Sequence, residues 1–202
     1  LGYAELYRQG AIPDEELPEA MRRVEGEATR MSKLVGELLE LARLDRTGSL
    51  ELSTCDLAEL VRDMTGDAAS LEPEREFTLE VPDRLFWKID ETRFRQILAN
   101  LLANVREHTP PSAPVTVRLH SDGEEVVLSV IDAGPGMSAE DAARVFDRFY
   151  RGTRAPGGGS GLGLPIVQAI ADAHGGTVTL DTRLDEGTTI TVRIPKAAHT
   201  PH

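Results

Sequence analysis

One stretch of this chain has the composition of a loop that binds phosphate. Between Pro156 and Pro165, five glycines fall within seven residues, and an apolar helical pattern follows directly. Glycine lets a backbone approach a ligand closely, and a helix N-terminus offers unpaired N–H groups and a positive dipole end. A bare glycine-rich stretch is just as often a flexible linker. The Lys-Ser/Thr of a Walker A loop and the leading strand of a dinucleotide fingerprint are both missing.

Two asparagines form a second group with chemical potential. Asn100 and Asn104 are four residues apart in a helix predicted over 91–108, so they lie on one face, one turn from each other. A single asparagine in mid-helix would be assigned to the surface. Two on one face among leucine pairs need hydrogen-bond partners or a ligand. An amide oxygen suits Mg²⁺, which keeps most of its waters and shares phosphate oxygens.

The third group is Asp132 with Gly134 and Gly136, which follows an apolar strand pattern. An aspartate at a strand end before glycines is often only turn chemistry. The functional alternative is that the carboxylate accepts a hydrogen bond from a ligand amine, while the glycines let the ligand lie against the backbone.

Composition limits the partners and the cellular compartment that we expect for this chain. The 202 residues carry a formal net charge of −12, which argues against nucleic acid as a partner and requires that any bound phosphate be neutralised locally. The single cysteine, Cys55, excludes an intrachain disulfide, fits a reducing compartment and is expected to be inert. No apolar run approaches the ~18 residues of a membrane span. Because the chain opens in mid-pattern, we expect a fragment of a longer protein.

Hydrophobic periodicity predicts a helical hairpin over residues 1–46. The first ten residues resemble the end of a helix, and a second helix begins between Asp14 and Pro18 and runs to about Arg46. Its apolar residues alternate spacings of four and three: Leu17, Met21, Val24, Ala28, Met31, Val35, Leu38 and Ala42. One and a half helices cannot bury such a stripe, so we expect two copies to form a four-helix bundle in a homodimer. The alternative is that the stripe packs on the neighbouring domain.

Residues 50–196 alternate strand and helix patterns after a polar boundary at 46–49. Strand patterns occur at 50–54, 77–81, 85–89, 115–119, 126–131, 177–180 and 188–194. Helix patterns occur at 56–71, 91–108, 138–146 and from the glycine-rich loop to about 173, with caps at Asp56, Asp90 and Ser138. Because hairpins outnumber crossovers, the expected fold class is α+β, with helices layered on one face of a sheet.

Taken in order, these motifs resemble the ATP-binding domain of sensor histidine kinases, in the GHKL superfamily. Residues 100–110 resemble its N box, 132–137 its G1 box, 146–151 its F box and 157–164 its G2 box. His174-Gly175-Gly176 also fits the family's pattern. The resemblance implies a truncated dimerisation hairpin at 1–46 and, at 50–196, an ATP-binding catalytic domain folded as a two-layer α/β sandwich.

The resemblance assigns a phosphate-binding role to three of these stretches. Asn104 would ligate a Mg²⁺ ion that bridges the phosphates of ATP, and Asn100 would line the site one turn back. His108, one turn further on, would share that face, although a packing role is the alternative. Arg151 would bring positive charge to the phosphates. Residues 152–158 would form a lid that orders on nucleotide binding, and the lid's edge would be Gly159, Ser160, Gly161, Leu162 and Gly163.

The resemblance also implies adenine selectivity. Asp132 would accept a hydrogen bond from the adenine amino group, with Gly134 and Gly136 beside it. Guanine carries a carbonyl at that place, so a buried carboxylate would face another acceptor and reject it.

Two departures from the family pattern matter. No histidine precedes His108, so the phosphoacceptor of the first helix is missing, and we expect the chain to bind ATP without phosphorylating itself. It would thus hold no catalytic residue of its own. Glu107 occupies a position that is often basic in the family, and Arg106 is rotated about 100° away from it.

The resemblance implies the cytoplasmic core of a two-component sensor histidine kinase. Such a kinase moves the γ-phosphoryl group of ATP to a histidine and then to an aspartate of a response-regulator receiver domain. We expect the parent protein to be anchored in the bacterial cell membrane, without direct membrane contact by this chain. One alternative is an ATP-hydrolysing relative, but Asn100 replaces the glutamate base of such enzymes and cannot take a water proton. The other is a nucleotide-binding dimeric module that signals by shape alone.

Overall fold

A computed structural model describes residues 3–9, 13, 15–44, 50–152 and 159–197. They belong to two compact units, Leu1–Ala42 and Arg43–His202. The segment 46–49, where the sequence predicts the domain boundary, lies outside the described residues. The domain limits 1–46 and 50–196 therefore stay a prediction.

The first unit consists of helices α1, Tyr3–Arg8, and α2, Leu17–Leu44. The start of α2 agrees with the predicted window, and residues 45 and 46 lie outside the described ones. Its apolar stripe is exposed within the single chain: Met21, Val24, Met31, Val35, Leu38 and Leu39. A row of exposed apolar side chains is typical of an interaction surface. The expectation that a second copy covers the stripe stays a prediction. Within the described residues, no helix has the length and apolar character needed to cross a bilayer.

The second unit contains a five-stranded sheet and a separate two-stranded one. Its elements in chain order are β1 Ser53–Asp56, α3 Leu57–Leu71, β2 Phe77–Glu80, β3 Phe86–Ile89, α4 Glu91–His108, β4 Val115–Ser121, β5 Glu125–Asp132, α5 Ala139–Arg144, α6 Gly163–Ala173, β6 Thr177–Arg183 and β7 Gly187–Pro195. The large sheet has the order β2-β4-β5-β7-β6, antiparallel except for the parallel pair β2–β4, and β1 pairs with β3. The α+β prediction is confirmed.

Local sequence fixes the starts of three helices in this unit. The carboxylate of Asp56 accepts hydrogen bonds from the N–H groups of Ala58, at 3.1 Å, and Leu85, at 3.0 Å. Asp90 caps α4 through its bond from the Arg93 N–H at 3.1 Å. Ser138 caps α5 in the same way. These caps satisfy N–H groups that a helix start would leave unpaired, as predicted from the sequence.

The core lies between one face of the large sheet and helices α3, α4 and α6. Alternate strand residues on that face are buried: Val115, Val117, Leu119, Val126, Leu128, Val130, Ile190, Val192 and Ile194. The helices supply Leu57, Leu60, Phe94, Ile97, Leu98, Leu101, Ile166, Val167 and Ile170. On the opposite face, Arg118, His120 and Arg193 are exposed. Along β4 the period of two thus separates the helix-packed face from solvent, whereas Val127 and Ser129 of β5 are buried on the opposite face as well.

The His174-Gly175-Gly176 segment has a structural role after α6. The Nε2 atom of His174 accepts a hydrogen bond from the Asp90 N–H at 3.3 Å, and its Nδ1 lies 2.8 Å from the Ile170 carbonyl oxygen. This pattern requires a neutral ring with its proton on Nδ1. Burial lowers the pKa of His174, which agrees with that neutral form. The ring therefore joins the end of α6 to the start of α4.

Gly187, the first residue of β7, allows a test of how closely this strand packs. Its φ is +97°, and an added Cβ would lie 2.0 Å from the carbonyl oxygen of Asp132. Gly123 has a similar φ of +94° with nothing within 4 Å of an added Cβ, so it is a matched control. We expect Gly123→Ala to lower the free energy of unfolding by about 1–2 kcal/mol and Gly187→Ala by more than about 3 kcal/mol. Urea unfolding measures both, and equal losses would contradict the tight packing.

Candidate functional site

The amide oxygens of Asn100 and Asn104 face the first residue of α6. A Cβ added to Gly163 would lie 3.5 Å from Oδ1 of Asn104 and 3.8 Å from Oδ1 of Asn100. Among the described residues, no side chain caps the N-terminus of α6 at Leu162. The Nδ2 atom of Asn100 is buried and has no hydrogen-bond partner among the described residues. An unused buried donor beside an uncapped helix N-terminus is a group that a bound ligand would satisfy.

Glu107 extends this face of α4 towards the glycine-rich stretch. Together with Asn100 and Asn104 it follows the i, i+4, i+7 spacing of one helix face. A Cβ added to Gly159 would lie 2.6 Å from Oε2 of Glu107. The carboxylate that replaces a usually basic residue therefore points at the edge of the predicted phosphate loop.

Asp132 lies at the end of β5 with its carboxylate partly buried. Burial raises its pKa, while hydrogen bonds from the backbone of Gly134 and Thr188 and the positive charges of Arg75 and His108 act in the opposite direction. The Gly134 N–H donates to Oδ1 at 2.9 Å. The side chain of His108, one turn after Asn104 on α4, therefore lies within electrostatic range of this carboxylate.

The glycines after Asp132 are required by the protein's own packing. A Cβ on Gly134 would lie 2.5 Å from Cγ2 of Thr109. Gly136 has a φ of +61°, and its Cβ would lie 1.8 Å from the Arg183 carbonyl oxygen. The sequence suggested that these glycines admit a ligand; the structure adds a second reason, since the turn is pressed against the β6–β7 connection.

The F-box and G2-box segments are joined through their backbones. Phe149 has a φ of +64°, and its N–H donates to the Gly161 carbonyl oxygen at 3.0 Å. Gly161 has a φ of +71°, and its added Cβ would lie 2.7 Å from the Tyr150 carbonyl oxygen. The Ser160 hydroxyl accepts from the Leu162 N–H at 3.1 Å, and Leu162 is fully buried. These contacts connect the two ends of segment 153–158, which lies outside the described residues and contains most of the predicted lid.

The remaining predicted residue, Arg151, is exposed beside that segment. The structure thus groups the asparagines with Gly163, Glu107 with Gly159, and Asp132 with Gly134. Sequence reasoning missed Arg75, which is buried and bonded to Thr109. A single arginine in a connecting loop gives no sequence signal of burial.

A metal ion at this site needs ligands beyond acidic side chains. In the described ranges, no group of three His, Cys, Asp or Glu residues is placed to hold a metal. The amide oxygens of Asn104 and Asn100 are hard donors of the kind that Mg²⁺ accepts when phosphate and water complete its shell. The residues present therefore fit Mg²⁺ brought in with a phosphorylated ligand.

Residues 89–198, more than half of the chain, match the sequence profile of the histidine kinase-, DNA gyrase B- and HSP90-like ATPase family. The chain belongs to this family. The match begins at the end of β3 and includes all four boxes, and it confirms the predicted fold of the ATPase domain.

Relatives of this ATPase domain include named sensor kinases. The probable sensor histidine kinase TcrY of Mycobacterium tuberculosis is 41% identical over 183 residues, which are 89% of this chain and 38% of TcrY. A structure of histidine kinase ThkA in complex with response regulator protein TrrA matches with a TM-score of 0.73 at 25% identity, over 94% of this chain and 54% of that one. Full-length ShkA in complex with AMPPNP matches with a TM-score of 0.71 at 28% identity, over 93% and 40%. The resemblance to sensor histidine kinases is confirmed.

Proposed function

We propose that this chain is the ATP-binding core of a two-component sensor histidine kinase. The observation that carries the proposal is the single face of α4. It presents the amide oxygens of Asn100 and Asn104 to the N-terminus of α6, and His108 on the next turn lies within electrostatic range of Asp132. One helix face thereby connects a carboxylate suited to an amine with a helix start suited to phosphate.

ATP spans this face in the proposed complex. The Asp132 carboxylate accepts from the adenine amino group, and the N–H groups at the start of α6 bind phosphate oxygens. Asn104 would hold Mg²⁺ with help from Asn100, and the bound ion would supply positive charge to the phosphates beside an acidic chain. Arg151 adds positive charge from the F-box segment. The residues proposed at the lid's edge are Gly159, Ser160, Gly161, Leu162 and Gly163.

The proposed reaction transfers the γ-phosphoryl group of ATP to a histidine, leaving ADP. The acceptor is a histidine of the parent protein that is not among the residues of this chain, and a response-regulator aspartate receives the group from it. The ThkA–TrrA complex supports a receiver domain as the partner. The exposed stripe of α2 supports a homodimer formed through the helical hairpin.

Calorimetric titration of the chain with ATP, ADP and GTP, with and without Mg²⁺, tests this function. We expect ATP and ADP to bind, GTP to bind at least about tenfold more weakly, and Mg²⁺ to tighten ATP. His120→Ala, on the exposed opposite face of the sheet, is a control that leaves every affinity unchanged. Failure of the folded chain to bind any adenine nucleotide would reject the proposal.

A further inference from the structure

Arg75, in the connection between α3 and β2, is a buried cation that the proposed reaction does not use. Its side chain has no exposed surface. Its Nε donates to Oε2 of Glu72 at 2.8 Å. Its Nη1 donates to Oγ1 of Thr109 at 2.7 Å and to the Ala113 carbonyl oxygen at 3.0 Å, and Nη2 donates to the Thr109 carbonyl oxygen at 3.3 Å. Because three of these bonds go to one segment, the guanidinium fixes residues 109–113 in a single shape.

The segment held by Arg75 forms a wall of the turn that carries Asp132. Cγ2 of Thr109 fills the space beside Gly134, where an added Cβ would lie 2.5 Å from it. The Ala133 N–H donates to the Pro114 carbonyl oxygen at 3.2 Å. The next residue, Val115, is paired directly with Asp132 in the sheet. Because Pro114 follows the 109–113 segment directly, movement of that segment would displace the turn both at Thr109 and at Pro114.

The charge of Arg75 also acts on Asp132. The carboxylate accepts hydrogen bonds from the backbone of Gly134 and Thr188, and the titratable side chains that act on it electrostatically are Arg75 and His108 of α4. Burial raises the pKa of Asp132, and the positive charge of Arg75 acts against that rise. A protonated carboxyl would present a donor in place of an acceptor on one oxygen, so the ionised form is the one suited to an amine.

We propose that Arg75 is a positioning residue for adenine recognition, which holds the 132–134 turn in the shape that presents the Asp132 carboxylate. This inference rests on the proposed function. A merely structural arginine would affect all nucleotides alike, whereas a residue that acts through Asp132 affects only ligands that carry the adenine amino group.

The test compares ADP with the diphosphate of purine riboside, in which hydrogen replaces the 6-amino group. In Arg75→Met we expect ADP affinity to fall about tenfold at pH 7.5, while the analogue's affinity stays within about twofold. Arg75→Lys keeps the charge and should recover much of the loss. On acidification, ADP binding should be lost at a higher pH in Arg75→Met than in wild type, because removal of the cation makes Asp132 easier to protonate.

Folding of each variant is checked by thermal unfolding. Glu72→Gln/Arg75→Met removes the carboxylate that Arg75→Met alone leaves without its partner, and it should show the same selective loss of ADP affinity. If the methionine variants do not fold, Thr109→Val takes their place, since it removes one acceptor of Arg75 and must lower the preference for ADP over the analogue. Equal losses for ADP and the analogue, or no loss, would overturn the inference. A wild-type chain that binds both equally would instead refute the proposed role of Asp132, and the inference with it.

Discussion

Asp132→Asn is expected to lower the affinity for ADP by about 100-fold and to weaken or reverse the preference over GDP. The Asn oxygen can still accept from the Gly134 N–H, which leaves the amide NH₂ facing the adenine amino group, donor against donor. A mismatched polar contact in a partly buried site costs a few kcal/mol. The guanine carbonyl, in contrast, finds a donor. Titration with ADP and GDP measures the change, and retained ADP affinity would contradict the assignment of Asp132.

The same substitution should stabilise the free protein. Because burial raises the pKa of Asp132, its ionised form destabilises the folded state at neutral pH. We expect a melting temperature higher by about 2 °C at pH 7. This destabilisation is fully present at pH values above the raised pKa of Asp132. It disappears as the pH falls through that pKa towards the ordinary value of 3.8, so the melting temperatures of wild type and variant should become equal in acid. Asp122, whose pKa is lowered by backbone hydrogen bonds from Glu125 and Glu124, is the control, and Asp122→Asn should give no stabilisation.

Asn104→Ala is expected to remove the tightening of ATP by Mg²⁺ and to lower autophosphorylation of the complete kinase at least about 100-fold. The Oδ1 atom lost is the nearer of the two amide oxygens that face Gly163, and no acidic cluster among the described residues replaces it. Alanine favours the helix, so α4 should remain folded. The readout is the ratio of ATP affinities with and without Mg²⁺, which should fall from about tenfold or more to near one.

Two further variants distinguish the contribution of a bound metal ion to ATP affinity from that of the Glu107 carboxylate. Asn104→Asp keeps an oxygen donor and should keep the response to Mg²⁺. Glu107→Gln removes the carboxylate beside Gly159, so metal-free ATP should bind several-fold more tightly because a repulsion is lost. An Asn104→Ala variant that responds to Mg²⁺ like wild type would show that another group holds the ion.

Local signals explain why much of the fold was predictable. Asp56 and Asp90 cap helices through N–H groups two and three residues away, and such short-range rules are visible in the sequence. The strand predicted from Leu50 instead begins at Ser53, because its register is set by pairing Ser53 with Ile89 of β3. Pairing between distant strands depends on the tertiary structure, which a local pattern does not contain.

The candidate site likewise combines features that local sequence predicts with features that depend on tertiary contacts. The shared face of Asn100 and Asn104 follows from helix geometry alone. The need for glycine at 136 comes from Arg183, and the burial of Arg75 depends on Thr109, which is 34 positions away in the chain. Nothing near these residues in the sequence indicates such long-range contacts.

The close packing around Asp132 affects how easily resistance to inhibitors of such a domain could arise by mutation. A Cβ added at Gly134 would lie 2.5 Å from the Thr109 side chain, and one added at Gly136 or Gly187 would lie 1.8 Å or 2.0 Å from a backbone carbonyl oxygen. A nucleotide-competitive compound that gains its affinity from main-chain atoms of this turn would contact groups that every residue type shares. Resistance by single substitution there would damage the fold that the protein itself needs. Escape would have to arise at residues with room to change, and compounds that avoid those residues would keep their potency longer.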